Sequence, residues 1–131
     1  MDQMPLVNEL IDAGKHFVEE FDKTYPGTVA FWLKDRDDCT WNLHVASPHV
    51  DPAHQRQAFS EIVRITSQMR DTPLGLADIR LRKMDDRLVQ FALEFRQRHK
   101  APLATIFNVP TFEGVEVEGM YLYPPLSAAA A

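Results

Sequence analysis

The apolar positions of the chain fall into segments of two different periods, and the switch between them predicts its elements. Over residues 5–22, Leu6, Leu10, Phe17 and Phe21 form one stripe, with Val7 and Val18 at its edge. That is the pattern of an amphipathic helix. Pro5 suits its first turn, and Tyr25-Pro26-Gly27 stops it. Thr28–Lys34 and Thr40–Ala46 read as two strands joined by the polar turn Asp35-Arg36-Asp37-Asp38. In the second, Trp41, Leu43 and Val45 take one face and Asn42 and His44 the other. In the first, Val29, Phe31 and Leu33 are assigned to the same inward face, which leaves Trp32 and Lys34 pointing outward.

Asp51 and Pro52 are a good cap and first residue for a second helix, whose stripe reads Phe59, Ile62, Val63, Thr66 and Met69. A third strand spans 76–83, with Ala77, Ile79 and Leu81 opposed to Asp78, Arg80 and Arg82. Asp85 caps a third helix with the stripe Leu88, Phe91, Ala92, Phe95 and His99, and Met84 and Val89 are spaced as a hydrophobic staple. Leu103–Val109 and Val115–Tyr123 read as two closing strands around Pro110, Glu113 and Gly114. Their alternation slips at Gly119, which predicts a bulge.

The predicted order is α-β-β-α-β-α-β-β, an α+β fold. Short hairpins at both ends imply a mainly antiparallel five-stranded sheet with the three helices packed mostly on one face. The pattern does not order the strands. At 131 residues the chain suits a single domain over 1–126, followed by a loose Ala-rich tail at 127–131. No apolar run reaches membrane-spanning length, and the N-terminus lacks signal-peptide regions. The lone cysteine, Cys39, allows no internal disulfide and points to a reducing, cytoplasmic setting.

Net charge is −5, unevenly spread. Residues 1–40 carry nine acids against four bases, whereas residues 78–100 carry seven bases against four acids. The overall acidity weighs against a dedicated nucleic-acid binder, while leaving room for a local basic patch.

Few residues invite chemistry. His44, His49 and His54, with Asp51 between them, have donor types that suit a transition metal such as zinc. Their H-x4-H-x-D-x2-H spacing matches no familiar metal motif, and a polar turn with a capping aspartate gives the same letters. His99 suits a helix C-terminus. Cys39 follows two aspartates that disfavour its thiolate. Glu116 and Glu118 share a strand face, and Asp85 and Asp86 are adjacent, but solvent-facing positions account for both pairs. Phosphate-cradling glycine loops, nucleophile elbows and H-E-x-x-H are absent, and no cofactor is implied.

The segment Phe31-Trp32-Leu33 through Asn42-Leu43-His44-Val45-Ala46-Ser47-Pro48 to Asp51, together with the ending Val117-Glu118-Gly119-Met120-Tyr121-Leu122-Tyr123, resembles a loose group of small bacterial hypothetical proteins. The resemblance covers most of the chain and rests on core and turn positions. It implies a bacterial or phage-associated origin and brings no established activity or catalytic residue.

The remaining candidate is the predicted outward sheet face, where Trp32, His44, Arg80 and Arg82 would lie together. Trp and Arg are enriched at protein interfaces, so the leading reading is a non-catalytic interaction or regulatory module expected to form a homodimer through this face, with another protein as the alternative partner. The same face could instead be covered by the chain's own C-terminal segment, with Trp32 simply packed, or it could stack and neutralise a single nucleic-acid strand. A small metal-dependent enzyme using the histidine cluster ranks third.

Overall fold

The computed structural model describes residues 8–35, 40–69, 72–99, 109–112 and 115–123. Helix α1 (Asn8–Thr24) leads into the hairpin β1 (Val29–Asp35) and β2 (Trp41–Ala46). A 3-10 turn at Pro52–His54 opens α2 (Gln55–Gln68), and another at Leu76–Asp78 opens β3 (Ile79–Leu81). Helix α3 (Arg87–His99) and strands β4 (Val109–Phe112) and β5 (Val115–Leu122) follow. Among the described residues no helix is long and apolar enough to cross a membrane.

Local chemistry places these boundaries. Asp51 caps the first 3-10 turn by accepting the Ala53 N–H at 2.7 Å. Asp86, one residue after the aspartate chosen from sequence, caps α3 by accepting the Leu88 N–H at 2.8 Å. Between α1 and β1 the chain turns at Gly27, whose φ of +79° lies in the left-handed region that favours glycine. The slip in β5 is a bulge: Lys34 pairs with Gly119 but Asp35 pairs with Val117, so Glu118 is skipped.

The sheet order is β3-β2-β1-β5-β4. Strands β1 and β2 are antiparallel, as are β1 and β5. Strand β3 is parallel to β2. Strand β4 joins through only two partner positions with a shift between them. The regular ladder is thus a mixed four-stranded β3-β2-β1-β5 with a ragged outer strand. This corrects the mainly antiparallel five-stranded sheet that the sequence pattern suggests. The cause is α2, since a connection that carries a helix across the sheet returns the next strand parallel to the first.

The helices also divide differently. Helices α1 and α2 cover one face, in a core that includes Phe17, Phe21, Ala30, Trp32, Leu43, Val45, Ile62 and Ile65. Helix α3 covers the other, where Leu88, Val89 and Ala92 meet Val29, Phe31, Leu33, Met120 and Leu122. Strand β1 explains why. Val29-Ala30-Phe31-Trp32-Leu33 is apolar on both faces, and a strand apolar on both faces is stable only between two layers.

Candidate functional site

The four residues proposed for an open sheet face do not share one. Cross-strand partners lie on the same face, and Trp32 is paired with Leu43 whereas Phe31 is paired with His44. Trp32 and His44 therefore point to opposite sides of the sheet. The expectation failed at β1, where taking Val29, Phe31 and Leu33 as partners of Trp41, Leu43 and Val45 reversed the strand's faces.

Trp32 is fully buried under α1. Its Nε1–H donates to Tyr123 Oη at 2.9 Å, and that hydroxyl donates to the Ile11 carbonyl at 2.7 Å. Burial raises the Tyr123 pKa above its ordinary value. Gly14 makes the approach feasible, because a Cβ there would meet Tyr123 Oη and stand 3.0 Å from Trp32 Nε1. The indole is a structural strut, unavailable to stack on a ligand.

His44 is buried beneath α3's side of the sheet, with its ring parallel to Phe31 at 5.3 Å between centroids. Its Nδ1 accepts from Arg82 Nε at 3.0 Å. Burial, followed by the charges of Arg82 and Arg80, lowers its pKa to about 3. The ring is therefore neutral near pH 7. Arg82 continues to Asp86 Oδ2 at 3.3 Å, so the chain His44–Arg82–Asp86 ties β2 and β3 to the start of α3.

The proposed metal ligands separate too. His54 Nδ1 lies 3.1 Å from Asp51 Oδ2 on the exposed turn before α2. The Ala53 N–H, then His54, holds the Asp51 pKa below its usual range. His49 donates its backbone N–H to Ser47 Oγ at 3.1 Å in the preceding loop. His44 is enclosed in its own stack. Among the described residues, no group of three or more His, Cys, Asp or Glu is placed to hold a metal ion. Cys39 and the side chains of His99, Glu116 and Glu118 lie outside the described residues.

What the sequence missed lies at the β3 edge. Along α2 the buried residues are Ala58, Ile62 and Ile65. Phe59 and Val63, assigned to the core from their periodicity, are 49% and 38% exposed. Glu61 marks the flank toward α1, because its carboxylate accepts from Thr24 Oγ1 at 3.2 Å. Phe59 and Val63 occupy the opposite flank. Helix α1 packs over Trp32 of β1 and Tyr123, just past β5, so this second flank is the side of α2 turned toward the β3 end of the sheet. Leu76, immediately before β3, is 39% exposed. These three are the exposed large hydrophobic side chains among the described residues. The signal was available in the sequence: 58, 62, 65 and 69 form an unbroken i, i+4, i+7, i+11 stripe, which leaves 59 and 63 beside it.

Arg80 belongs to the same edge. It is exposed, and its guanidinium folds along the strand to donate to the carbonyls of Ala77 at 2.5 Å and Ile79 at 3.3 Å. No carboxylate pairs with it among the described residues.

The chain matches no protein-family model, no curated protein and no solved structure.

Proposed function

We propose that the protein is a non-catalytic interaction module of the cytoplasm, and that it meets its partner along the β3 edge. One observation carries this reading. With helices on both faces of the sheet, the exposed large apolar side chains among the described residues are Phe59 and Val63, on the flank of α2 away from α1, and Leu76, immediately before the edge strand β3. Exposed apolar residues are unremarkable singly, but beside the edge strand of a sheet they suit a partner surface. The covered sheet faces withdraw the surface on which a face-to-face homodimer would have rested, and the edge takes its place.

The double variant Phe59→Ser/Val63→Ser tests the reading. Both side chains are exposed, so the variant should unfold within about 1 kcal/mol of the parent. The parent purified from its native cell should carry a stoichiometric partner that the variant loses. Recovery of the same companions by both proteins would contradict the proposal.

A further inference from the structure

We infer that the β3 edge receives an extended segment of another protein in which apolar and acidic side chains alternate. This rests on the edge reading above and specifies the partner's chemistry. A strand added beside β3 presents successive side chains to opposite faces of the sheet. On the α2 side its nearest neighbour is the flank of α2 that carries the exposed Phe59 and Val63, which calls for apolar residues. On the α3 side it would meet Arg80, which shares the face of His44. A carboxylate is the complement there.

The edge is closed to unselective pairing. Arg80 occupies the carbonyl of Ile79, and the Ile79 N–H is already bonded to the carbonyl of Leu76. The strand is only three residues long. Short length and edge cations are the usual protection against strand-to-strand association. A carboxylate alters that balance, because its charge-assisted bond to a guanidinium is about twice as strong as the neutral bonds Arg80 now makes. Drawing Arg80 off the backbone would free the Ile79 carbonyl to accept from an added strand.

The same residue disfavours a second copy of this chain. An antiparallel two-fold pairing that uses all of Ile79–Leu81 sets Arg80 opposite its own counterpart, and like charges directly opposed are destabilising. The occupant is therefore a different segment, selected by charge against self.

The test is an NMR titration of the 15N-labelled full chain with a synthetic peptide of alternating valine and glutamate. Alternating valine–lysine and serine–glutamate peptides serve as controls. The valine–glutamate peptide should shift the amides of Ile79, Arg80, Leu81, Phe59 and Val63, and neither control should. Arg80→Glu should weaken valine–glutamate binding by about tenfold and admit the valine–lysine peptide, while Arg80→Gln should bind both poorly. No shift at millimolar peptide, or equal shifts with valine–lysine, would overturn the inference. If the peptide fails while Phe59→Ser/Val63→Ser still loses its native partner, the acidic strand is wrong and the edge module stands. If the double variant keeps that partner, the module reading itself fails.

Discussion

Replacing His44 by Asn should flatten the acid side of the protein's stability profile. The structure holds this imidazole neutral in three ways: burial, the approach of Arg82 and Arg80, and the use of Nδ1 as an acceptor from Arg82. In the unfolded chain the ring takes up a proton near its ordinary 6.5, while in the fold it does so only near about 3. Between those values the unfolded state binds more protons, so stability falls as pH falls. At about 1.4 kcal/mol per pH unit, the gap amounts to roughly 4–5 kcal/mol across the whole window. Above pH 6.5 this contribution is constant. Asn retains an acceptor for Arg82 and does not titrate, so the difference between parent and variant isolates the histidine from the carboxylates. Urea unfolding at intervals from pH 7.5 to 4.5 measures it. The parent should lose about 1.4 kcal/mol more than the variant for each unit below pH 6. Parallel profiles would show that His44 is accessible to protons in the fold and would refute the enclosed stack.

Gly14→Ala should lower stability by about 1–3 kcal/mol, read as a fall in Tm, because the added methyl meets Tyr123 and Trp32. Tyr123→Phe should cost about 1–3 kcal/mol by leaving the buried Trp32 N–H without its acceptor, and Trp32 fluorescence should report the change. Asp86→Ala removes the α3 cap and the carboxylate beside Arg82, so denaturant unfolding should show a loss of about 1 kcal/mol or more.

Much of the element order is legible in the sequence because it depends on local signals. Periodicity, Pro26-Gly27, the Asp51-Pro52 start and the slip at Gly119 each act within a few residues of the structure they cause. The errors came from facts that local pattern does not contain. Strand β1 is apolar on both faces, so its alternation does not say which face meets which partner, and the pattern alone places Trp32 on the wrong side. The parallel setting of β3 follows from where α2 crosses, which depends on the whole assembly. On α2 two apolar stripes run side by side. Which one is buried is decided by the position of α1, through contacts such as Thr24–Glu61. The candidate edge carries the stripe left outside the core, so the periodicity that suggests Phe59 and Val63 as core residues also hides the site.

Site-specific photo-crosslinking gives the most direct test of the interaction edge. A photoreactive residue replaces Leu76 beside β3 in one protein and Lys15, exposed on α1, in another. Both are expressed in the native cell and irradiated. A discrete adduct at position 76, absent at position 15 and removed by adding Phe59→Ser/Val63→Ser, is the predicted result. Equal labelling at the two positions, or none at 76 while the protein is folded, would contradict it.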